Sequence, residues 1–223
     1  MKTSYIIKHF AGTFFFFLIL FISAGRVDYW QGFIYVIIGL MMVTLNYTVL
    51  RPDSELLIER TKPGGGAKKW DKVLLGLSFL FTIIMFLIAG LDSGRYHWSP
   101  NFHEIFYLPG IFLTVSGQLL FLFAQKQNKF FSSIVRIQTD REHTVCETGL
   151  YKIVRHPAYL GSIIQSIGFP LLFGSLWSIL PVGFLIILHI TRTYLEDKTL
   201  KKELRGYLEY SLKTRYKIIP YVW

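Results

Sequence analysis

The sequence predicts an all-α polytopic membrane protein with about five to six transmembrane helices, a small cytosolic cap and a C-terminal amphipathic helix. Hydrophobic residues make up 52% of the 223 residues, more than a soluble core of this size can bury. Several apolar runs approach the roughly 20 residues that a helix needs to cross a bilayer. These runs show no alternation of polar and apolar residues, and helices satisfy their own backbone hydrogen bonds in lipid.

Six apolar runs define the predicted spans. In chain order they are residues 10–24, 33–50, 73–91, 105–124, 159–176 and 179–190. The first run follows two lysines and ends in small residues, as a signal peptide does, but five further runs follow. We therefore expect the first run to be a retained helix. The first two spans are joined by a tight turn, and Pro52 ends the second.

Two polar segments separate the spans. The loop over residues 51–72 carries a predicted short helix at 54–60 and a flexible glycine-rich stretch at 63–66. Such loops bind phosphate only between a strand and a helix, so a hinge or an interfacial segment is favoured here. The insertion over residues 125–155 exceeds the length of ordinary connections. Its β-branched pieces predict extended chain, and we expect a small folded cap.

The last two runs form a predicted hairpin with its turn at residues 168–181. The hairpin returns the chain to the face from which it started. After it, residues 196–212 carry apolar side chains at regular helical spacing among many charges, namely Leu200, Leu204, Leu208 and Leu212. This pattern predicts an amphipathic helix that lies against the membrane or the cap.

The formal net charge of +10 is distributed around the membrane spans. Lysine and arginine concentrate in residues 51–72, in residues 125–156 and in the tail, whereas residues 92–104 contain only Arg95. The positive-inside rule therefore places the N-terminus, the two basic segments and the tail in the cytoplasm. Anionic lipid headgroups are the expected partners, and nucleic acid is not. The single Cys146 and the lack of a cysteine cluster predict no metal site.

The stretch RHPAYLG at residues 155–161 places charge at the start of a membrane helix, where uncompensated charge is costly. Pro157 suits the first position of a helix, so Arg155 and His156 are predicted at its cytosolic end. Taken alone, these two residues are most simply a headgroup-binding arginine and a helix-capping histidine. Glu196 and Asp197 follow the hairpin, so the acidic and basic groups are predicted to meet.

Four separate motifs occur in order: GLYKIVRHPAYLG, a two-span hairpin, Glu196-Asp197 and the tail YLEYSLKTRYKIIPYVW. This set resembles the isoprenylcysteine carboxyl methyltransferase family and its relatives among phospholipid and small-thiol methyltransferases. The first 100 residues carry no such motif. We therefore divide the chain into N-terminal transmembrane helices, residues 1–100, and a methyltransferase core, residues 101–223.

The resemblance implies an integral membrane methyltransferase that binds S-adenosylmethionine on the cytosolic side. The positions that match cofactor-binding positions of the family are Gln138, His143, Gly149, Tyr151, His156, Tyr159 and Glu196. A glutamate can pair with the cofactor's ammonium, a histidine can bind its carboxylate or amine, and tyrosine rings can face its sulfonium. The family has a second glutamate where this chain has Asp197, whose side chain is one methylene shorter. If the second acid were the cofactor ligand, this shorter side chain would reach less far toward it.

The first function that the resemblance implies is carboxyl O-methylation of an isoprenylcysteine-like lipophilic acceptor. Methylation of a phospholipid amine or a small thiol is the alternative within the same fold. A transporter or a non-enzymatic scaffold is the alternative from another class, and it would favour charges in mid-span. An acceptor carboxylate requires a cation, and guanidinium binds carboxylate in a bidentate manner. Arg215 and Arg155 are the candidates, although Arg215 fits an interfacial charge in a basic tail equally well.

Overall fold

The computed structural model describes residues 2–50, 56, 59–60 and 65–223, and the prediction of an all-α polytopic membrane protein is confirmed. The described helices are α1 (Lys2–Ala24), α2 (Trp30–Leu50), α3 (Lys69–Ala89), α4 (Tyr107–Gln127), α5 (Pro157–Phe173), α6 (Ile179–Glu203) and α7 (Tyr207–Lys213). By length and composition, α2, α3, α4 and α6 are able to cross a membrane, and α1 and α5 contain shorter apolar helices. No strand occurs among the described residues.

The two ends of the helix bundle differ in their connections. At the far end, α3 continues into a π-helical segment, Gly90–Tyr96, which contacts the end of α1. There Arg95 Nη2 donates a hydrogen bond of 2.7 Å to the carbonyl oxygen of Ile22. At the opposite end, which we call the cavity end, the chain before α3, the cap (residues 128–156) and the segment after α6 come together. Lys68 and Glu203 form an ion pair of 2.7 Å there.

Helices α4 and α5 pack with their backbones in contact. A Cβ atom on Gly117 would lie 2.5 Å from the carbonyl oxygen of Gly161, and a Cβ atom on Gly161 would lie 2.6 Å from that of Gly117. Small residues allow this close approach of membrane helices. Gly161 ends the RHPAYLG stretch. The contact therefore holds the start of α5, with its arginine and histidine, close to the end of α4.

The hydrophobic core lies between the N-terminal helices and α5. Phe86 of α3 is buried at its centre, with its ring centroid 4.9 Å from that of Tyr35 and 5.6 Å from that of Phe173. Burial of aromatic side chains supplies large apolar area, and tilted or edge-to-face ring pairs of this kind are favourable. The N-terminal helices therefore support the hairpin that carries the predicted site.

The prediction of one amphipathic helix over residues 196–212 is wrong. The stretch after the apolar run contains no glycine or proline, so α6 continues to Glu203, and the chain turns at Gly206, which has a φ of +83°. Leu204 is buried, whereas Leu208 and Leu212 are 53% and 71% exposed. Glu196 and Asp197 therefore lie inside a helix rather than at the start of one.

Smaller differences concern the turn and the loops. The hairpin turn is shorter than predicted, because α5 continues through Pro170 to Phe173 and α6 begins at Ile179. The segments of the cap that are predicted to be extended form no β-strand pairing among the described residues. Instead the cap contains short 3₁₀ turns at Thr139–Arg141 and Gly149–Lys152. Of the helix predicted at 54–60, Leu56, Glu59 and Arg60 are helical, and the rest lies outside the described residues, as do residues 61–64.

Candidate functional site

A cavity of about 280 Å³ lies at the cavity end, between the start of α5, the last turns of α6, the cap and α7. Seven of the nine residues predicted from the sequence line it, namely Gln138, His143, Tyr151, Arg155, His156, Tyr159 and Glu196. The other two, Gly149 and Arg215, are not among the lining residues. The cavity lining therefore includes most of the residues that the sequence singles out.

Tyr159 lies between two charged residues of α6 that are one helical turn apart. Its hydroxyl donates a hydrogen bond of 2.6 Å to Glu196 Oε2, and Arg192 Cζ lies 5.6 Å from the centroid of its ring. Arg192 lines the cavity, and its Nη1 makes no hydrogen bond to any residue that the structure describes. The cavity is thus lined by both a carboxylate and a guanidinium group.

Asp197 makes a different set of contacts from its neighbour Glu196. It does not line the cavity, and it is buried against Arg155, with 2.7 Å between Arg155 Nε and Asp197 Oδ1 and 3.2 Å between Nη2 and Oδ2. Tyr207 donates a further hydrogen bond of 3.1 Å to Asp197 Oδ1. The basic and acidic groups on either side of the hairpin do meet, as the sequence predicts. Of the two acids, Glu196 is the one available to a ligand.

The guanidinium of Arg155 is largely occupied by the protein. Besides Asp197, it donates through Nη1 to the carbonyl oxygens of Thr214 and Arg215, at 2.7 Å each. The backbone N–H groups of Arg155 and His156 donate to the carbonyl oxygens of Tyr216 and Lys217, at 2.9 and 2.8 Å. The tail therefore holds the Arg-His-Pro motif in place through main-chain contacts.

Arg215 contributes its carbonyl oxygen to this arrangement, whereas its side chain is exposed and lies outside the cavity lining. Its predicted contact with an acceptor carboxylate stays a prediction. His156 lines the cavity, and its Nε2 lies 3.2 Å from the hydroxyl of Tyr207. Tyr207 itself is buried, and burial raises the pKa of its hydroxyl well above the usual value, so it remains a neutral donor.

His143 and Gln138 belong to the cap. The backbone N–H of Gln138 points to His143 Nδ1 at 3.3 Å, which leaves the ring proton on Nε2. Burial, with a smaller effect of the nearby charges of Arg136 and Arg141, lowers the pKa of His143 to about 4. His143 is therefore a neutral donor at physiological pH. The amide of Gln138 donates to the carbonyl oxygen of Phe130 and accepts from Arg141, so it holds the cap together.

Tyr151 and Gly149 lie in the last turn of the cap. Tyr151 is buried, and its hydroxyl donates a hydrogen bond of 3.2 Å to the carbonyl oxygen of Ala124. Burial raises the pKa of this hydroxyl. Gly149 has a φ of +56°, and a Cβ atom there would collide with the side chain of Gln127, which accepts the N–H of Leu150 at 2.7 Å. Gly149 thus shapes the turn that presents Tyr151 to the cavity.

Three arginines of the cavity wall, Arg60, Arg136 and Arg192, are not among the site residues predicted from the sequence. Arg136 is buried and pairs with Glu59 at 2.8 Å and Asp140 at 2.7 Å, and these partners raise its pKa. Arg192 lies beyond residue 190, where the predicted span ends. Had α6 been extended past that point, the four-residue spacing of Arg192 and Glu196 would have placed both on one helix face. The contact with Glu59 has no comparable signal in the sequence.

Comparison with known proteins gives one consistent family. Residues 110–202 match the model of the isoprenylcysteine carboxyl methyltransferase (ICMT) family. A protein-S-isoprenylcysteine O-methyltransferase A of Arabidopsis thaliana is 28% identical over 93 residues, which are 41% of this chain and 42% of the relative. A protein-S-isoprenylcysteine O-methyltransferase of Schizosaccharomyces pombe is 26% identical over 132 residues, 52% of this chain and 56% of the relative. The chain thus spans about half the length of these curated relatives.

The matched segment contains the parts of the chain that build the site. It includes most of α4, the whole cap, α5 and nearly all of α6, and with them Arg155, His156, Tyr159, Arg192 and Glu196. The resemblance predicted from the sequence motifs is confirmed by this match. Over residues 110–202, the chain is therefore similar to the isoprenylcysteine carboxyl methyltransferase family.

Proposed function

We propose that this chain is an S-adenosylmethionine-dependent integral membrane methyltransferase that methylates the carboxylate of an isoprenylcysteine-like lipophilic acceptor at the cytosolic face. One observation carries the proposal: a single cavity, lined by the family's motifs, is also lined by the carboxylate of Glu196 and by a guanidinium nitrogen of Arg192 that has no partner among the described residues. The names of the relatives, protein-S-isoprenylcysteine O-methyltransferases, support an isoprenylcysteine as the acceptor class.

The residues present fit S-adenosylmethionine. Glu196 offers a carboxylate to its ammonium, and the buried ring of Tyr151 offers a π-face to its sulfonium. Neutral His143 offers an N–H group that can donate a hydrogen bond to the cofactor. When bound, this cofactor supplies an electrophilic methyl group, and the carbon–sulfur bond breaks with its electron pair staying on sulfur. Methyl transfer requires no nucleophile from the protein. The side chains of this chain therefore act by placing the acceptor and excluding water.

Arg192 is the arginine best placed to hold an acceptor carboxylate. Arg155 donates to Asp197 and to two carbonyl groups, and the Arg215 side chain is exposed. Arg192 is 15% exposed and its Nη1 is not engaged by the residues that the structure describes. Guanidinium binds a carboxylate through two hydrogen bonds, whereas the methylated nitrogen of an amine headgroup or the sulfur of a thiol offers it no such pair of oxygens at the reacting group. This favours a carboxylate acceptor over the amine and thiol alternatives.

The distribution of charge supports a cytosolic cavity. Basic residues at the cavity end include Lys68, Lys126, Lys129, Arg141 and Lys213, whereas the far-end loops carry Arg26 and Arg95 beside acidic residues. By the positive-inside rule, this asymmetry favours a cytosolic position of the cavity end. Impermeant labelling of single cysteines introduced at Gly65 and Val27, with Cys146 replaced, measures the orientation. We expect reaction from outside at residue 27 and protection at residue 65, and the reverse pattern would contradict this orientation.

The activity is tested with purified protein, methyl-labelled S-adenosylmethionine and a panel of acceptors: prenylcysteine acids, phospholipid amines and small thiols. We expect transfer to the prenylcysteine acid. Arg192→Ala is expected to lower kcat/KM for this acceptor by about tenfold to a hundredfold, the effect of losing a charge-assisted hydrogen bond, with cofactor affinity retained. Transfer to an amine or a thiol but not to the acid would contradict the proposal. A comparable loss in Arg215→Ala would favour the arginine predicted from the sequence.

A further inference from the structure

Asp71 is a fully buried carboxylate in the first turn of α3, in the part of the chain that carries no motif of the family. Its two oxygens bind two different parts of the cavity wall. Oδ1 accepts from Arg192 Nε at 2.7 Å, and Oδ2 accepts from the backbone N–H of Val135 at 2.7 Å. Asp71 therefore connects α6 to the cap at the cavity end.

These contacts determine which edge of the Arg192 guanidinium is available to a ligand. Asp71 takes Nε, and Nη2 lies 3.4 Å from Asp71 Oδ2 and donates at 3.0 Å to the carbonyl oxygen of Ser133. The ring of Tyr159 packs against the guanidinium plane. Because the guanidinium is planar and its donors form a rigid fork, fixing two nitrogens also fixes the direction of the third. The nitrogen without a partner among the described residues is Nη1.

We propose that Asp71 is a positioning residue, which acts through Arg192 by holding the guanidinium in the orientation that binds the acceptor carboxylate. This inference rests on the proposed function. Without Asp71, Arg192 would have another partner within reach, because Glu196 lies four residues later on the same helix face, the spacing of a helical ion pair. Arg192 would then turn toward Glu196 and away from the acceptor.

A second ion pair provides a matched control that tests whether Asp71 has only a structural role. Lys68 and Glu203 also connect the start of α3 with α6, by an ion pair of 2.7 Å between partly exposed side chains, and neither residue lines the cavity. The backbone N–H of Lys68 donates to the carbonyl oxygen of Val135 in the cavity wall, a contact that does not involve the Glu203 side chain. Glu203→Gln removes this connection and leaves the contacts of Arg192 intact. If Asp71 only tethers the two helices, Asp71→Asn and Glu203→Gln should affect the site in the same way.

The experiment measures equilibrium binding of an N-acetyl-S-prenylcysteine and of its uncharged carboxamide to the full chain in lipid nanodiscs. The ratio of the two affinities reports how strongly the site prefers the carboxylate. We expect the wild type to prefer the acid by about tenfold to a hundredfold. Asp71→Asn and Arg192→Ala are each expected to lose most of this preference, and Glu203→Gln is expected to keep it. The double variant should be no worse than Arg192→Ala alone, because Asp71 acts through Arg192.

Each result has a defined meaning. Full acid preference in Asp71→Asn, with a loss in Arg192→Ala, would overturn the role of Asp71 and leave the proposed function standing. Equal losses in Asp71→Asn and Glu203→Gln, or additive losses in the double variant, would also overturn it. No acid preference in the wild type would contradict the proposed acceptor, and the inference with it. If Asp71→Asn does not fold, Asp71→Glu keeps the charge but displaces it, and an unchanged preference in that variant would overturn the role.

Discussion

The two ends of the bundle bury carboxylates by different means. At the cavity end, Asp197 and Asp71 each contact an arginine, at 2.7 Å in both cases. At the far end, Asp92 is equally buried, but it accepts hydrogen bonds of 2.6–2.7 Å from the N–H and hydroxyl of Ser99 and the hydroxyl of Ser175. No cation pairs with Asp92 among the residues that the structure describes.

This difference shows what the arginines add. Neutral donors are sufficient to bury an acid where the chain only has to be held together, because each carboxylate oxygen then has a partner. A guanidinium carries five N–H donors, so it can bind a buried acid and still contact a second group. At the cavity end, the second group is the tail for Arg155 and the cavity for Arg192. Removal of a hydrogen-bond partner of the buried acid is therefore expected to have different consequences at the two ends of the bundle.

The largest effect is expected for Arg155→Ala. This change leaves Asp197 buried without its main partner and removes the donors to two carbonyl groups of the tail. Breaking a buried ion pair in this way costs about 3–5 kcal/mol of unfolding free energy. Denaturant titration in detergent measures it, with the double variant Arg155→Ala and Asp197→Ala as the control that recovers part of the loss. A cost below about 1 kcal/mol, the value of an exposed pair, would contradict the burial of this pair.

Glu196→Ala is expected to act on cofactor binding rather than on folding. Loss of a charge-assisted hydrogen bond to the cofactor's ammonium should weaken binding by about 1.5–3 kcal/mol, or about tenfold to a hundredfold. Calorimetry with S-adenosylmethionine measures this affinity. Asp197→Ala is the matched control, because its carboxylate does not line the cavity. Unchanged affinity in Glu196→Ala, or a larger loss in a folded Asp197→Ala variant, would reverse the assignment of the two acids.

Asp92→Ala tests the far end. The change leaves the buried donors of Ser99 and Ser175 without their acceptor, and an unsatisfied buried group costs about 1–3 kcal/mol. We expect a lower unfolding free energy and an unchanged affinity for S-adenosylmethionine, because the cavity lies at the opposite end of the bundle. A folded Asp92→Ala variant with altered cofactor affinity would show that the two ends are coupled.

The smallest effect concerns the pH dependence contributed by His143. Its folded-state pKa of about 4 lies below the ordinary value of 6.5, so the unfolded chain binds a proton between these pH values and the folded chain does not. This contribution to stability is fully present above pH 6.5 and is lost as the pH falls to about 4. Unfolding midpoints at pH 7 and pH 5 should therefore differ less in His143→Asn than in the wild type. An identical difference in both proteins would contradict a half-buried, neutral His143.

Much of the fold follows from local sequence signals. The apolar runs predict the six long helices that the structure describes, and the Arg-His-Pro motif with the hairpin predicts that the basic and acidic groups on either side of the hairpin meet. These predictions succeed because run length and the return of a hairpin depend on neighbouring residues. The predicted helix over 196–212 fails because one glycine, Gly206, ends a segment whose leucine spacing continues through it.

The remaining features depend on contacts between distant parts of the chain. Asp71 and Arg192 are 121 residues apart, and Asp92 and Ser175 are 83 residues apart. In the sequence each of these is a single acid beside a span, which is most often a solvated helix end. Only the packing of α3 against α6 and of the far-end loops gives them partners. A single sequence contains no signal for such pairs.

Carboxyl methylation at this cavity is tested most directly by the chemical nature of the product. A methyl ester releases its label as methanol in mild base, whereas a methylated amine or thioether does not. With methyl-labelled S-adenosylmethionine, we expect the purified chain to give base-labile label on a prenylcysteine acid, none on the matching carboxamide, and little with Arg192→Ala. Base-stable label, or equal labelling of the acid and the carboxamide, would contradict a carboxylate acceptor held by Arg192.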